Sequence, residues 1–266
     1  MYIMLNRMDS IKPWSLRLPR WVLGAGPLLA VGLLSGCASI ADNLIADAII
    51  TPDNEVKARD AGLKSMGPHM TMTRPRAPQP GDQARADALA RQLEKHIGKY
   101  RDVEVAKADG YRSFPPEPPP SLKEVHYVHG SRSAEEKDAL NPAQPGSLLY
   151  HQTADGGLKL VGAMFTAPPT ATLEALDERV PLSVTQWHLH TDICIPIPLW
   201  DEQEWRRTTY DGQPLFGVES PISNRKACDS AKGRFAPVIF GWMTHAYVTA
   251  DVDDVWDQSF GHGGHH

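Results

Sequence analysis

The segment Trp187-His188-Leu189-His190 places two histidines at the spacing that a metal site on a β-strand requires. Residues i and i+2 of a strand point to the same face of the sheet. Two neutral imidazoles placed in this way can bind one ion at about 2.0–2.1 Å. Without a shared ion, a buried pair of imidazoles leaves ring nitrogens that need other partners. We therefore predict that His188 and His190 are metal ligands. The competing interpretation is that both are half-buried packing residues.

Further ligands have to come from other strands of the same sheet. His245, which ends the strand-like segment 241–245, is the first candidate, and His126 is the second. Three imidazoles leave one coordination position open for water or substrate, whereas four close the site. Imidazole ligands suit transition-metal ions such as zinc and copper. The expected cofactor is therefore a zinc or copper ion held by these histidines.

Two carboxylates accompany the histidines in the sequence. Asp192 is in phase with His188 and His190, so we expect it to bind the ion or to orient an imidazole. Glu124 and Asp192 are the candidates for a general acid or base if the site is catalytic. The sequence contains no glycine-rich phosphate loop, nucleophile elbow or zinc-binding helix motif. Three hypotheses follow: a metal-binding protein, a hydrolytic or oxidative metalloenzyme with the same site, and a structural or interaction protein without metal.

The first 36 residues have the layout of a bacterial lipoprotein signal peptide. An apolar run of 14 residues, Trp21 to Leu34, precedes Ser35-Gly36-Cys37. Basic residues come before the run: Arg7, Lys12, Arg17 and Arg20. This order is that of a secretory signal, and the thiol at the cleavage point can be acylated, for example with palmitate. The run is too short for a membrane span, which needs about 20 apolar residues. We predict a signal peptide over residues 1–36 and lipidation at Cys37.

The remaining chain is therefore predicted to belong to the cell envelope. Ala38 and Ser39 follow the anchor, and the absence of Asp there favours the outer membrane, with the domain facing the periplasm. The net charge of −5 becomes −8 without the leader, which carries four basic residues and one acidic residue. This acidic balance argues against nucleic acid and against anionic lipid heads as partners. The lipid anchor is the expected membrane contact, and the sequence names no protein partner.

The chain has three cysteines. Lipidation would use Cys37 and leave Cys194 and Cys228 in an oxidising compartment, where a disulfide is favoured. The alternatives are two buried thiols that never meet and a cysteine ligand to the metal.

Composition divides the chain after the leader into three parts. Residues 37–82 are predicted to form the lipidated N-terminus and a flexible arm. Within this arm, a short helix is expected over residues 38–50 and a proline-interrupted irregular stretch over residues 51–82. Residues 83–260 are predicted to form a single domain. The tail 261–266 is rich in histidine and glycine, so it is either a transient chelator or a solvated end.

Apolar spacing predicts a helix that is capped by Asp82 and runs to Tyr100, followed by a short helix ending at Asp109-Gly110. Strands are predicted over residues 125–128, 147–151, 158–165, 182–190 and 238–248, with Pro237 marking the start of the last one. Residues 199–234 are predicted to form a long loop with at most one helical turn. This order indicates an α+β domain in which N-terminal helices pack on a mostly antiparallel sheet.

A set of segments between Lys99 and Trp256 resembles a group of uncharacterised bacterial envelope proteins. The matching segments are Tyr100-Arg101-Asp102-Val103-Glu104, Ala108-Asp109-Gly110-Tyr111, His126-Tyr127-Val128, Ser147-Leu148-Leu149-Tyr150, Leu160-Val161-Gly162-Ala163, Trp187-His188-Leu189-His190 with Cys194, and Phe240-Gly241-Trp242-Met243-Thr244-His245. The resemblance implies no assigned activity. It implies that four histidines belong to one pattern: His126, His188, His190 and His245. His129 stands where relatives often have Asn, which argues against it as a ligand.

Overall fold

The computed structural model of the chain describes residues 50–51, 63–116, 118 and 122–259. The predicted signal peptide, Cys37 and the histidine-rich tail therefore lie outside the described residues. The helix predicted over residues 38–50 also lies outside them, apart from Ile50, which belongs to a strand. Among the described residues, no helix is long and apolar enough to cross a membrane.

Within the described part of the chain, nine strands form one sheet. The strands are β1 (Ile50–Thr51), β2 (Leu63–Ser65), β3 (Met70–Thr73), β4 (Arg112–Phe114), β5 (Glu124–Val128), β6 (Ser147–Gln152), β7 (Leu158–Ala167), β8 (His188–Ile195) and β9 (Arg234–Ala246). Their order is β2-β3-β8-β9-β7-β6-β5-β4, and β1 pairs with β9. Every pairing between these strands is antiparallel. The predicted α+β class with a mostly antiparallel sheet is confirmed.

Short helices connect and cover the strands. They are α1 (Asp82–Ile97), α2 (Val103–Ala108), α3 (Gly130–Glu136), α4 (Leu173–Arg179), α5 (Glu202–Trp205) and α6 (Arg225–Ser230), with a 3-10 turn over Gly98–Arg101. Leu93 and Ile97 of α1 are fully buried in a cluster that includes Tyr150 of β6, so α1 packs on the sheet. Gly110 follows α2 with a φ of 98°, the left-handed conformation expected where a helix ends.

Asp82 does not cap α1, contrary to the prediction. The helix begins at Asp82 itself, and its N-cap is Gly81, which makes no side-chain cap hydrogen bond. The Asp82 carboxylate instead accepts hydrogen bonds from the Arg76 guanidinium at 2.6 and 3.0 Å and from the Ser183 hydroxyl at 2.6 Å. Arg76 also donates two hydrogen bonds to Asp177. The carboxylate also accepts the N–H of Gln79 at 2.7 Å, so its hydrogen-bond donors all lie outside the helix, and the charge-assisted, bidentate bond from Arg76 is the strongest of these interactions.

The strand predicted from Leu182 begins only at His188. Pro181 starts a turn whose carbonyl oxygen accepts hydrogen bonds from the N–H groups of Val184 and Thr185. Residues 181–185 therefore form a turn and do not pair with a neighbouring strand.

Pro237 lies within β9 and does not mark its start, because β9 already begins at Arg234. A proline has no N–H to donate, so inside a sheet it is confined to edges and irregular positions. The flanking pairs of the β8–β9 register place Pro237 opposite Asp192, whose φ of 57° interrupts β8.

Part of the predicted arm belongs to the sheet. Residues 63–65 and 70–73 form β2 and β3, and β3 pairs with β8 through Met70 opposite His190. The prolines that suggested an irregular arm lie outside these two strands: Pro52, Pro68, Pro75, Pro78 and Pro80. The ordered sheet therefore begins before residue 83, which was the predicted start of the folded domain.

Cys194 of β8 and Cys228 of α6 form a disulfide with their Cα atoms 5.4 Å apart. The predicted disulfide is therefore confirmed, and the two alternatives, separate buried thiols and a cysteine ligand to the metal, are excluded. The bond ties residues 199–234 to the sheet, and this segment contains α5 and α6. Trp200 and Trp205 from the same segment pack on the buried cluster of one sheet face.

That face, here called the inner face, carries an apolar cluster drawn from β4 to β9. Its members include Phe114, Val128, Leu149, Val161, Met164, Ile193 and Met243. Because strand side chains alternate, Glu124 and His126 share the inner face with Val128 on β5. His245 shares it with Met243 on β9. The opposite face packs on α1.

Candidate metal centre

The carboxylate of Glu124 lies at the centre of a group of imidazoles on the inner face. Its side chain is only 5% exposed. Oε1 lies 3.7 Å from Nε2 of His126 and 3.4 Å from Nδ1 of His245. Oε2 lies 3.4 Å from Nε2 of His151, which stands directly opposite Glu124 in the β5–β6 register. One buried carboxylate is thus surrounded by three imidazoles.

Three of these side chains have the geometry of ligands to one ion. The donor atoms of Glu124, His126 and His245 all lie within 4.8 Å of one another. Donors bound to zinc at about 2.0–2.1 Å with tetrahedral angles are separated by about 3.4 Å. The two distances from Oε1 to imidazole nitrogens, 3.4 and 3.7 Å, are close to this separation. Two histidines and one carboxylate are a ligand set of zinc and non-haem iron sites, so these residues fit a divalent transition-metal ion.

His188 and His190 lie next to this group. The ring centroid of His188 is 5.1 Å from that of His245 and 5.4 Å from that of His190. His126 lies 5.3 Å from His245 on the other side. The four predicted ligands therefore form one continuous row of imidazoles. Only His126 and His245 of this row belong to the three-residue group that the described residues bring within 4.8 Å.

The two histidines of β8 differ in their surroundings. His188 is fully buried, whereas His190 is partly exposed. Nδ1 of His190 lies 3.3 Å from the carbonyl oxygen of His69. This contact holds the His190 ring near β3, the strand that pairs with β8.

Asp192 lies outside the group of three donor residues, although it was expected to be in phase with the histidines. Its φ of 57° breaks the alternation of β8 after His190. Burial raises the pKa of the Asp192 carboxyl, and the nearby His69 acts in the opposite direction. The carboxylate that the structure brings to the imidazoles is Glu124.

The backbone at His245 is fixed by a side chain from the last described segment. On one side of His245, β7 pairs with β9 through Met164. On the other side β8 begins at His188, opposite Met243, so no described strand continues the ladder there. Gln258 takes that place: its Oε1 accepts from the His245 N–H at 2.9 Å, and its Nε2 donates to the His245 carbonyl at 3.0 Å. Gln258 is 5% exposed, and it also donates to Thr185 and to the Trp256 carbonyl.

The site is most open to solvent at His126. The side chain of His126 is 22% exposed, whereas those of Glu124 and His245 are 5% and 0% exposed. The His126 ring stacks on Phe240 with an angle of 19° between the planes and centroids 6.3 Å apart. Phe240 contacts Phe114 edge-on at 5.5 Å. Of the three grouped residues, His126 is therefore the one most exposed to solvent, and its ring is backed by buried aromatic side chains.

Sequence reasoning missed three residues of the site. Glu124 was named only as a possible acid or base, although Glu124-Val125-His126 has the same i, i+2 spacing that identified the β8 pair. Tyr247 stands at the same spacing from His245, and its hydroxyl lies 2.8 Å from Nδ1 of His245. His151 has no comparable local signal, because its role depends on the pairing of β6 with β5.

No protein-family model, no curated protein and no solved structure matches this chain. The conclusions about the site therefore rest on its geometry.

Proposed function

We propose that this chain is a lipid-anchored envelope protein whose periplasm-facing domain binds a zinc or copper ion. Glu124, His126 and His245 are the ligands. The observation that carries the proposal is the pair of ligand-like distances, 3.4 and 3.7 Å, from one buried carboxylate oxygen to two imidazole nitrogens. His188 and His190 extend the site as a row of imidazoles behind His245.

The electrostatics of the inner face support a cation at this position. A carboxylate taken out of water needs a compensating positive charge nearby. A divalent ion supplies this charge and, at the same time, accepts the lone pairs of neutral imidazoles. The surrounding inner face is apolar, which strengthens the interaction between the ion and the carboxylate.

Isothermal calorimetry with zinc and, separately, with copper tests the metal site. The chain after the leader is used with the tail histidines replaced by serine: His262, His265 and His266. We expect one ion per chain. Glu124→Gln is expected to weaken binding by more than about 100-fold, since loss of an outer hydrogen-bonding partner alone costs 10–100-fold.

His96→Ala is the matched control, because His96 is an exposed histidine on α1. It should leave the affinity unchanged. If neither zinc nor copper binds, or if Glu124→Gln binds as the parent does, the metal proposal is wrong and a structural or interaction role is the better hypothesis.

The anchoring part of the proposal is supported by the leader, the small residues before Cys37 and the absence of Asp after it. Mass spectrometry of the processed N-terminus from a bacterial host tests it. The expected product begins at an acylated Cys37 and sediments with the outer membrane. Cys37→Ser should abolish both properties, and an unprocessed or unacylated parent chain would contradict the proposal.

A metalloenzyme, hydrolytic or oxidative, is the second candidate. The three-ligand set and the 22% exposure of the His126 side chain favour it, because catalysis needs an open coordination position that solvent can reach. Zinc-dependent turnover of model esters, or copper-dependent oxidation of phenols, would support this candidate. Metal bound without either activity supports binding alone.

A further inference from the structure

Tyr247 lies beside the three-residue cluster and is fully buried. Its hydroxyl oxygen is 2.8 Å from Nδ1 of His245. The same Nδ1 is 3.4 Å from Oε1 of Glu124. The phenol oxygen and the carboxylate oxygen therefore both approach the nitrogen that faces the proposed ion.

The chain delivers these groups in two matching pairs. Glu124 and His126 are two residues apart on β5, and His245 and Tyr247 are two residues apart at the end of β9. Tyr247 is the first residue after β9, and its N–H donates to the carbonyl of Val255 at 2.7 Å. Each pair projects to the inner face, where apolar side chains surround it.

We propose that Tyr247 is the fourth protein ligand of the metal site, bound through its phenolate oxygen. This inference rests on the proposed metal site. On binding, the phenol O–H bond breaks, a metal–oxygen bond forms and the proton passes to the solvent. The resulting donor set is two imidazoles, one carboxylate and one phenolate.

Charge balance then favours a divalent ion. A doubly charged cation with one carboxylate and one phenolate has a net charge of zero, whereas a trivalent ion leaves a buried positive charge. Four protein ligands also close a tetrahedral site. The fourth ligand therefore favours metal binding and handling over hydrolysis by a metal-bound water.

Ultraviolet difference spectroscopy during zinc titration tests the inference, with calorimetry run in parallel on the same tail-substituted chain. We expect one tyrosinate signal per bound zinc ion. With copper in place of zinc, we expect a phenolate-to-copper charge-transfer band in the visible range. Tyr247→Phe should lose both signals, and circular dichroism checks that it is folded.

Tyr127→Phe is the matched control, because Tyr127 is a buried tyrosine on β5 that packs on the opposite face of the sheet. It should keep both signals.

Zinc bound without a tyrosinate signal, or a signal that persists in folded Tyr247→Phe, overturns the inference and leaves the metal site intact. If Tyr247→Phe does not fold, the copper band of the parent chain decides: its presence supports the inference and its absence overturns it. If the parent binds neither zinc nor copper, the proposed function is overturned as well.

Discussion

Nδ1 of His245 lies 3.4 Å from Oε1 of Glu124, although β9 and β5 are separated by two intervening strands, β7 and β6. In a flat sheet, three interstrand spacings of about 4.8 Å would hold their backbones about 14 Å apart. The side chains of Glu and His are too short to span that distance. The sheet must therefore curl towards its inner face, and the curl creates the site.

Local irregularities in the strands provide the curl. Phe240 and Gly241 of β9 have φ values of 62° and 92°. The β8–β9 register shifts opposite them, between His188 and His190. The β6–β7 register also shifts, between Leu149 and Tyr150. Bulges of this kind bend a strand and increase its twist, and they recur where a sheet re-aims side chains at functional sites.

Gly162 of β7 should not tolerate a side chain. A Cβ built on it would overlap the carbonyl oxygen of Ala246 and lie 2.9 Å from Cα of Tyr247. We expect Gly162→Ala to lower the free energy of unfolding by about 1–3 kcal/mol or more, since overpacking displaces backbone. Because the displaced residues adjoin His245, zinc affinity should fall too. Urea denaturation and calorimetry measure the two effects.

Gly98→Ala is the control for this substitution. Its Cβ would meet only the flexible end of the Arg101 side chain, at 3.3 Å. Stability should change by less than about 1 kcal/mol, in keeping with the helical preference of alanine over glycine. Equal effects of the two substitutions would show that the close approach at Gly162 does not constrain the fold.

The parts of the fold that depend on local pattern were predictable. The second helix and its end at Asp109-Gly110 follow from apolar spacing and a glycine, and the β6–β7 hairpin follows from two apolar runs with a turn between them. The i, i+2 spacing of His188 and His190 correctly indicated neighbouring rings, which lie 5.4 Å apart.

The rest depends on long-range geometry. The i, i+2 spacing places Glu124 beside His126, but the contact of Glu124 with His245 depends on the curl that brings β5 to β9, and no local pattern encodes that contact. Asp192 looked suitable because strict alternation was assumed, but Pro237 opposite it cannot donate to the ladder and the alternation breaks there. The β2–β3 strands were missed because their prolines suggested an arm, whereas Pro68 lies in the connection between the two strands.

Gln258 should hold the backbone of His245 in place. Gln258→Ala removes the partner of both the N–H and the carbonyl that His245 directs towards it. An unsatisfied buried polar group costs about 1–3 kcal/mol, so we expect a loss of about 2–3 kcal/mol in the free energy of unfolding. Zinc affinity should fall by at least tenfold because a ligand-bearing strand loses its support.

Gln203→Ala on α5 is the matched control, since Gln203 is exposed. Chemical denaturation with and without zinc separates stability from affinity. A Gln258→Ala variant as stable as the control would contradict this role for Gln258.

The disulfide should stabilise the segment 199–234, whose Trp200 and Trp205 pack on the inner face. Cys194 and Cys228 are separated by 34 residues, and closing a loop of this length stabilises a fold by about 4 kcal/mol in the chain-entropy model. We expect a Cys194→Ala/Cys228→Ala variant to lose about 3–4 kcal/mol in urea denaturation. A reductant should destabilise the parent by a similar amount and leave the variant unchanged. If the reductant shifts both proteins equally, the bond is not the source of the stability.

Glu136 should make stability depend on pH, independently of the metal cluster. It is 2% exposed at the end of α3. Oε2 accepts hydrogen bonds from the N–H and hydroxyl of Thr166 at 2.9 and 2.8 Å, and Oε1 accepts from the N–H of Gly146 at 3.3 Å. Burial raises the pKa of the Glu136 carboxyl to about 7, because desolvation outweighs these hydrogen bonds and the nearby charge of Arg179.

The direction of the effect follows from the two pKa values. The ordinary pKa is 4.5, so between pH 4.5 and about 7 the unfolded chain has lost a proton that the folded chain still holds. The stabilising contribution of Glu136 is therefore present below pH 4.5 and is lost as the pH rises through 7. A pKa shift of this size corresponds to about 3 kcal/mol.

Glu136→Gln is neutral at every pH and should remove this loss. We expect the free energy of unfolding of the parent, relative to that of Glu136→Gln, to fall by about 3 kcal/mol between about pH 4 and pH 8, as urea denaturation would measure. Glu135→Gln is the matched control, because Glu135 is the exposed neighbour on the same helix. It should keep the pH dependence of the parent. Parallel pH profiles for the parent and Glu136→Gln would mean that Glu136 is already ionised in the folded chain, with Arg179 and the hydrogen bonds from Thr166 and Gly146 stabilising its charge.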